Sequence, residues 1–225
     1  MQVACLYDVH GNLPALRAVL ADPALAGASH VLVGGDAVAG PDPPEALELL
    51  LALGPRAQFI RGNADRELEP WVAERLDADA RATVQNWPAT ASLEVPGLGA
   101  VCFCHGSPRS DTEIITMASP EARLRPMLDG VEEPTVVCGH THVQFDRRAA
   151  GRRIVNAGSV GMPYQGEAGA AFWCLLGPDV ELRRTPYDPA LLGAALAESG
   201  FPDPDWFDPA TAEEATAHFE AMAGG

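Results

Sequence analysis

The chain has 225 residues, of which 47% are hydrophobic and 20% are charged, and its formal net charge at pH 7 is −16. This length fits one sizeable hydrophobic core, so we expect a single domain over residues 1–225. Because so acidic a chain repels other polyanions, the charge argues against nucleic acid polymers as partners and leaves a small phosphorylated substrate as the expected one.

The apolar segments indicate a protein that does not enter a membrane. None is long enough to cross a bilayer, and the N-terminus lacks the basic and apolar stretches of a secretory signal. The five cysteines lie in apolar segments, as small reduced core residues do. We therefore expect a cytoplasmic location. The sequence is compatible with a homo-oligomer and specifies no oligomeric state.

Strands and helices alternate in the first part of the chain. The predicted strands are residues 3–7, 31–33 and 58–60. Between them, one helix has Asn12 as its N-cap, and a second runs from Pro43 to just before Gly54. A further helical pattern covers residues 70–87. This order predicts a layered α/β fold.

The second part of the chain is richer in strands. The predicted segments are strands at 91–95, 100–104 and 135–138, strands and turns over 143–187, an exposed loop at 107–118 and a helix near 120–128. Two helices follow, one from Asp188 to before Gly200 and one from near Asp208-Pro209. We therefore divide the chain into a core of about residues 1–187 and a helical C-terminal extension of about residues 188–225.

Polar residues with metal-binding side chains follow five of the predicted strands. They are Asp8, His10, Asp36, Asn63, His105, His140 and His142. Ligands of open α/β sheets gather where the carboxyl ends of the strands meet, so neighbouring strands would bring these side chains together. Oxygen and imidazole donors without thiolate suit manganese, iron, zinc, cobalt or nickel. Seven donors are too many for one tetrahedral ion and fit two ions that share a bridging carboxylate.

Each of these residues also has a simpler interpretation when it is taken alone. A single histidine at a strand end is usually a surface residue or a hydrogen-bonded core residue, and we assign no function to His30 and His218. Asp36 and Asn63 are residue types that are common in turns. The occurrence of all seven residues in this order favours the metal site.

The seven residues stand in short motifs. These are Asp8-x-His10, Gly35-Asp36 with Gly40-Pro41, Gly62-Asn63-x-Asp65, His105-Gly106, Gly139-His140-x-His142 and a turn over 156–161. The set resembles the motifs of the calcineurin-like metallophosphoesterases, and most of all those of their small bacterial and archaeal phosphodiesterase branch. The resemblance implies a four-layer α/β fold in which two stacked mixed β-sheets are flanked by helices, with the site at the strand ends.

The resemblance also implies how the ligands are shared. One metal ion would be held by Asp8, His10 and His142, the other by Asn63, His105 and His140, and both by a bridging Asp36. Two divalent ions, with Mn²⁺ favoured, would activate a bridging hydroxide that attacks phosphorus, so no side chain is assigned as the nucleophile. The implied activity is the hydrolysis of phosphate esters, with small phosphodiesters favoured.

Ala64 departs from the pattern of many relatives. They have histidine at this place, where it is thought to protonate or steady the leaving group, and alanine has no proton to give. The loss of a general acid costs roughly 10²–10⁴-fold in rate when the leaving group is poor. We therefore expect phosphodiesters, or esters with good leaving groups, rather than phosphoserine proteins as substrates. The small phosphodiesterase branch shares this departure.

Four further residues beside the motifs have two open interpretations each. Arg66 and Arg109 are either bidentate phosphate contacts or solvated surface residues. Asn12 and Asp65 either support a metal ligand through a hydrogen bond or cap a helical turn.

Two alternatives to a phosphodiesterase stay open. One is a phosphomonoesterase or nucleotidase that uses the same site. The other is a non-catalytic metal-binding interaction module, which the retromer subunit of this superfamily resembles. Such modules tend to lose ligands, whereas all seven positions are filled here.

Overall fold

The structure contains two five-stranded β-sheets. The computed structural model describes residues 1–203, 206–207 and 210–224. The strands are β1 (Val3–Leu6), β2 (His30–Val33), β3 (Ala57–Phe59), β4 (Thr90–Val95), β5 (Gly99–Cys104), β6 (Thr135–Cys138), β7 (Phe145–Ala149), β8 (Arg152–Asn156), β9 (Ala170–Leu176) and β10 (Val180–Pro186). The α-helices are α1 (Leu13–Leu20), α2 (Pro23–Gly27), α3 (Pro43–Leu51), α4 (Asn63–Arg66), α5 (Pro70–Arg75), α6 (Ala78–Gln85), α7 (Glu121–Met127), α8 (Pro189–Ser199) and α9 (Ala212–Ala223).

Both sheets mix parallel and antiparallel neighbours. The first sheet has the strand order β10-β9-β1-β2-β3, and the second has the order β4-β5-β6-β8-β7. The strands β1, β2 and β3 are parallel, as are β5, β6 and β8, whereas the remaining strands pair antiparallel with their neighbours. Parallel neighbours end at the same edge of a sheet, so the loops that follow β1, β2 and β3 lie side by side, as do those after β5 and β6.

The two sheets face each other across an apolar core. This core includes Cys5 and Leu32 on the first sheet and Phe103 and Val137 on the second. Tyr7 crosses it and donates a hydrogen bond from Oη to the carbonyl oxygen of Val137 at 3.1 Å. Apolar side chains of α1, α3, α5 and α6 cover the outer face of the first sheet, and those of α7 cover the second. The predicted α/β fold of two mixed sheets flanked by helices is confirmed.

The predicted helix over residues 70–87 is two helices in the structure. Leu76 has an extended backbone, with φ −90° and ψ 137°, and ends α5. The carboxylate of Asp77 then accepts a hydrogen bond from Ala80 N at 2.7 Å, which caps α6. A short helix that the sequence did not predict, α2, is capped by Asp22 in the same way.

The C-terminal extension packs against the rest of the chain through both of its helices. Helix α8 contacts α1. Helix α9 is held by Glu220, whose carboxylate accepts hydrogen bonds from Thr116 Oγ1 at 2.5 Å and from Ser119 Oγ at 2.9 Å. The same carboxylate pairs with Arg123 of α7. These contacts fix α9 beside the loops of the second sheet.

A capping box sets the start of the last helix. Thr211 Oγ1 accepts a hydrogen bond from Glu214 N at 3.2 Å, and the Glu214 carboxylate accepts one from Thr211 N at 3.0 Å. The helix therefore begins at Ala212, whereas the predicted start near Asp208-Pro209 lies outside the described residues. Across the described ranges, no helix has both the length and the apolar composition needed to span a membrane.

Candidate metal centre

Two groups of carboxylate and imidazole side chains meet at the ends of the strands. Asp8, His10 and His142 form one group, and Asp8, Asp36 and His105 form the other. Within each group the potential ligand atoms all lie within 4.8 Å of one another. Asp8, His10 and Asp36 follow strands of the first sheet, while His105 and His142 follow strands of the second. Both sheets therefore contribute to both groups.

Short distances join the histidines to the two carboxylates of the site. His142 Nε2 lies 3.2 Å from Asp8 Oδ1. His105 Nε2 lies 3.3 Å from Asp36 Oδ2 and 3.7 Å from Asp8 Oδ1. Asp36 Oδ2 also lies 3.9 Å from His10 Nε2, so it faces one histidine of each group, as a bridging carboxylate would. The division of the ligands between two ions stays a prediction.

The other two predicted ligands border the second group. The ring centroids of His140 and His105 are 5.2 Å apart. Asn63 begins α4, and its Oδ1 is buried without a hydrogen-bond partner in the part of the chain that the structure describes. The next residue, Ala64, donates its backbone N–H to Asp36 Oδ1 at 2.8 Å. Six of the seven predicted ligands thus lie around one site, and Asn63 precedes a residue that is hydrogen-bonded to one of them; the role of all seven as ligands remains a prediction.

Backbone carbonyls fix the orientation of three of the histidines. Nδ1 lies 3.0 Å from Ala39 O in His10, 2.9 Å from Gly34 O in His105 and 2.7 Å from Met162 O in His142. A carbonyl oxygen only accepts hydrogen bonds, so each Nδ1 carries a proton and donates it. In its neutral form each ring then presents the lone pair of Nε2 to the site, as metal-binding histidines do.

Several buried polar atoms of the candidate ligands converge here. Nε2 of His10 and Nε2 of His142 are 3.2 Å apart, and both are acceptors when the rings are neutral. Asp8 Oδ1, Asn63 Oδ1 and His105 Nε2 are buried, and no described residue forms a hydrogen bond with any of them. Unpaired buried polar atoms are costly, and cations would satisfy all of them. Donors bound at 2.0–2.2 Å to one ion lie roughly 3–3.6 Å apart, close to the observed spacings. The residues therefore fit divalent metal ions.

Five of the predicted ligands have a left-handed backbone conformation. The φ angles are 53° at Asp8, 49° at His10, 51° at Asp36, 65° at His140 and 57° at His142. A non-glycine residue adopts this region at a cost of order 1–3 kcal/mol, and such strain clusters at functional sites. Among the described residues, Ala150 is the one other non-glycine residue with a positive φ. The strain is thus concentrated in the loops that carry the ligands.

Gly35 allows the two sheets to approach each other at the site. Its φ is 94°, in the region that favours glycine. A Cβ atom at this position would lie 2.5 Å from Gly62 N and 2.7 Å from His105 Nδ1. A larger residue would therefore push His105 away from Asp36.

The buried groups shift each other's pKa values. Burial alone would lower the pKa of His105, but the carboxylates of Asp36 and Asp8 raise it to about 10. Burial acts to raise the pKa of Asp36, yet His105 and His10 hold it well below its usual range. Burial and the neighbouring His105 lower the pKa of His140 to about 4, so its ring is neutral at pH 7. Metal binding at His105 must therefore displace a proton.

Asp65 ties the end of β2 to the end of β3. Its buried carboxylate accepts hydrogen bonds from the backbone N–H groups of Asp36 at 2.7 Å, Ala37 at 2.9 Å and Gly62 at 3.0 Å. Burial and the charge of Asp36 raise the pKa of Asp65 to about 7. The contacts to Asp36 and Ala37 go beyond a helix cap, so the geometry favours the interpretation that Asp65 supports a ligand.

We expect Asp65→Asn to lower the free energy of unfolding. The amide keeps one acceptor oxygen, so at least one of the three backbone N–H groups loses its partner at a cost of about 1–3 kcal/mol. Urea unfolding measures the effect. Asp77→Asn is a matched control, because asparagine caps a helix as well as aspartate does. Equal stability of the two variants would contradict this role of Asp65.

Asn12 has one of the two roles that the sequence left open, that of a helix cap, and its support of a metal ligand stays a prediction. Its Oδ1 accepts a hydrogen bond from Ala15 N at 3.1 Å and caps α1. Its Nδ2 donates to Gly161 O at 2.7 Å and to Tyr187 Oη at 3.3 Å. Asn12 therefore links the loop after β1 to the turn over 156–161.

Two further residues of that turn hold the ligand loops, and sequence reasoning had given them no individual role at the site. Ser159 Oγ donates a hydrogen bond to Asp8 O at 2.8 Å. Asn156 Nδ2 donates to Gly139 O at 2.7 Å, next to His140. The turn therefore braces the loops of both sheets.

Arg66 and Arg109, the predicted phosphate contacts, both pair with acidic side chains. Arg66 donates two hydrogen bonds to Asp111, from Nε at 2.7 Å and from Nη2 at 3.2 Å. Arg109 Nε donates to Glu113 at 2.9 Å, and its Nη2 pairs with the same carboxylate. Each guanidinium already has a carboxylate partner, so phosphate would have to compete with it. Their role in substrate binding stays a prediction.

Three aromatic rings outside the predicted ligand set stand against the histidines. The pairs are Tyr164 with His142 at 5.0 Å, Trp206 with His10 at 6.0 Å and Phe219 with His140 at 6.5 Å between ring centroids. Trp206 and Phe219 belong to the C-terminal extension. The helical spacing around Phe219 marks an apolar face, but a local pattern does not tell which surface that face covers.

Comparison with known proteins gives one family and a set of similar structures. The family model described as the calcineurin-like phosphoesterase superfamily domain matches residues 1–175. The hypothetical protein PH1004 of Pyrococcus horikoshii OT3 superposes with a TM-score of 0.78 at 19% identity, over 93% of this chain and 99% of that chain. This likeness shows the fold.

Two further solved structures are similar. A metallophosphoesterase of Sphaerobacter thermophilus superposes with a TM-score of 0.71 at 26% identity, over 98% of this chain and 99% of that chain. Yfce, a phosphoesterase from E. coli, superposes with a TM-score of 0.55 at 19% identity, over 84% of this chain and 100% of that chain. No curated protein matches the sequence.

Proposed function

Because the chain belongs to the calcineurin-like phosphoesterase superfamily, we propose that it is a metal-dependent phosphodiesterase that hydrolyses small phosphodiesters. The observation that carries the proposal is the convergence of carboxylate oxygens and imidazole nitrogens within 4.8 Å of one another, in two groups that share Asp8. Such donor sets bind divalent cations, and paired cations are a recurrent device for phosphoryl transfer.

We propose two divalent ions per chain, with Mn²⁺ preferred. Nitrogen and oxygen donors without thiolate suit manganese, and iron, zinc, cobalt or nickel are the other candidates. When bound, the two ions would supply an activated water and neutralise the charge of the phosphate. The two groups that share Asp8 support this number, because each group offers three donor side chains.

The residues of the chain would hold the ligands in a fixed orientation. The backbone N–H of Ala64 donates a hydrogen bond to Asp36 Oδ1 at 2.8 Å, and Asp36 Oδ2 is left facing the histidines. Carbonyl oxygens hold the rings of His10, His105 and His142 through Nδ1. Because these partners are in place before substrate arrives, little reorganisation is needed during the reaction.

The side chain of Ala64 favours esters whose leaving group needs no proton from this position. Ala64 follows Asn63 in the chain and donates its backbone N–H to Asp36, so it adjoins the candidate site. A methyl group cannot act as a general acid, and this loss costs roughly 10²–10⁴-fold for poor leaving groups. This supports diesters and activated esters over phosphoserine proteins.

Hydrolysis of two esters with the same leaving group tests the proposal. We expect kcat/KM of the Mn²⁺-loaded protein to be higher for methyl p-nitrophenyl phosphate than for p-nitrophenyl phosphate. A higher value for the monoester would instead favour a phosphomonoesterase or nucleotidase. Metal binding without hydrolysis of either ester would favour the non-catalytic module.

We also propose that the protein acts in the cytoplasm on a small substrate. The five cysteines are free and buried, as in a reducing compartment. The net charge of −16 disfavours nucleic acid polymers. Both proposals rest on these properties of the chain rather than on a bound partner.

A further inference from the structure

The family model matches residues 1–175. Two aromatic residues stand beside the candidate metal site, Tyr164 near the end of this range and Phe219 beyond it. We propose that the rings of Tyr164 and Phe219 form an aromatic wall that binds a planar aromatic ring of the substrate. The preferred esters would then carry an aryl or nucleobase-like group. This inference deepens the proposed phosphodiesterase function and rests on it.

The aromatic wall contacts His142 of the first group and His140, which borders the second group. The Tyr164 ring stacks on His142, with centroids 5.0 Å apart and an interplanar angle of 19°. Phe219 lies 6.5 Å from the ring of His140, and the two rings of the wall lie 6.3 Å from each other. A substituent on a phosphate bound between the histidines therefore meets an aromatic surface on this side.

A cavity borders the aromatic wall. It has a volume of about 450 Å³, within the range of roughly 300–1,000 Å³ that is typical of small-molecule sites. Ala215, His218 and Met222 line it together with Tyr164 and Phe219. Met222 is 59% exposed, although methionine packs well against aromatic rings. The lining is mainly apolar and also includes Glu214 and His218, and such a cavity next to the aromatic wall suits the flat apolar part of an ester.

The C-terminal extension also contacts the candidate site through Trp206, and this contact holds the extension against the core. Trp206 lies edge-on against His10, and its ring lies 5.6 Å from that of Phe201. Phe201 in turn packs at 4.9 Å against Trp71 of α5. A Cβ atom at Gly40 would lie 1.7 Å from His10 O and 3.1 Å from the Trp206 ring, so glycine permits this approach. Glu220 also anchors α9 to α7. The contacts of Trp206 and of Glu220 together hold Phe219 near the candidate site.

Binding without turnover tests the aromatic wall directly. Phenylphosphonate and methylphosphonate share the phosphonate group, and their carbon–phosphorus bonds resist hydrolysis. We expect calorimetric titration of the Mn²⁺-loaded protein to show about tenfold tighter binding of the phenyl compound, the size of effect that aromatic stacking gives. Phe219→Ala should bring this ratio close to one, and Phe219→Leu, which keeps apolar volume, should retain part of it.

A matched control separates the wall from general effects on the helix. Thr216 lies on another face of α9, towards the groove beside Met117, so Thr216→Ala should leave the binding ratio unchanged. The metal content of each variant is measured to check that the substitution beside His140 has not reduced metal binding. A wild-type ratio near one, or a ratio that Phe219→Ala does not change, would overturn the proposal.

Turnover distinguishes this proposal from the function on which it rests. Phenyl and methyl p-nitrophenyl phosphate release the same leaving group, and comparing their kcat/KM ratio between wild type and Phe219→Ala cancels their intrinsic reactivity. The ratio should fall about tenfold in the variant. No hydrolysis of either ester together with an intact phosphonate binding ratio would overturn the hydrolase function and leave the wall standing.

Discussion

Asp36→Asn should lower kcat/KM by more than about 100-fold while the protein stays folded, because partners of metal ligands alone are worth 10–100-fold and Asp36 is a predicted ligand itself. The side chain is 5% exposed, and Oδ2 faces His105 and His10. Asparagine has the same shape, and its oxygen can still accept from Ala64 N. Asparagine lacks the negative charge that Asp36 places between His10 and His105.

Circular dichroism and urea unfolding check that the Asp36→Asn variant keeps its fold. Asp77→Asn makes the same chemical change at the N-cap of α6, away from the candidate site, and should keep wild-type turnover. Retention of a substantial share of wild-type kcat/KM in Asp36→Asn would count strongly against the metal centre. Loss of activity in both variants would point to a general effect of the substitution.

Removal of divalent metal should abolish activity and lower Tm, and added Mn²⁺ should restore both. Cations would satisfy the buried acceptors at Asp8, Asn63 and His105 in the folded chain and find no such site in the unfolded one. At 100 times Kd a ligand stabilises the folded state by about 2.7 kcal/mol, which corresponds to roughly 5–10 °C in Tm for a chain of this size. Differential scanning calorimetry with and without a chelator measures the shift.

The Mn²⁺-induced increase in Tm should grow between pH 6 and pH 8. His105, with a pKa raised to about 10 by Asp36 and Asp8 against the effect of burial, is protonated over this range, so metal binding there releases a proton. At lower pH, protons compete with the metal ion for His105. Activity should therefore fall as the pH is lowered. Asp36→Asn should show a smaller Mn²⁺ response. A response independent of pH, or a rate unchanged down to pH 4, would contradict this coupling.

The positions of the candidate ligands could be predicted because each lies within a few residues of the end of a short apolar strand. Val3 to Leu6 are buried and extended, and Asp8 comes two residues later. Asp36 lies three residues after the end of β2, and His105 directly follows β5. A strand that ends in a polar residue is a local signal, whereas the sharing of ligands between two ions depends on distances across two sheets. That part came only from the family resemblance.

Two kinds of feature could not be predicted: a helix break within a continuous helical pattern, and contacts between residues distant in the chain. The helical spacing over residues 70–87 continues through the break at Leu76, so it hides the new cap at Asp77. The contact of Phe219 with His140 joins residues far apart in the chain and follows from how α9 packs. The pairing of Arg66 with Asp111 is of the same kind, and it qualifies the phosphate contact that Arg66 suggested.

The left-handed backbone at five of the predicted ligands places folding and function in conflict. Glycine would suit the conformation of Asp8 or His142 better than the residue present, but it would bring no donor atom. Substitutions that discard the ligands can therefore make the empty scaffold more robust, as expected of sites whose activity trades against stability. We therefore expect the metal-free chain to be less stable than it would be with glycine at these positions, and the metal chemistry that we propose accounts for the donors that it carries.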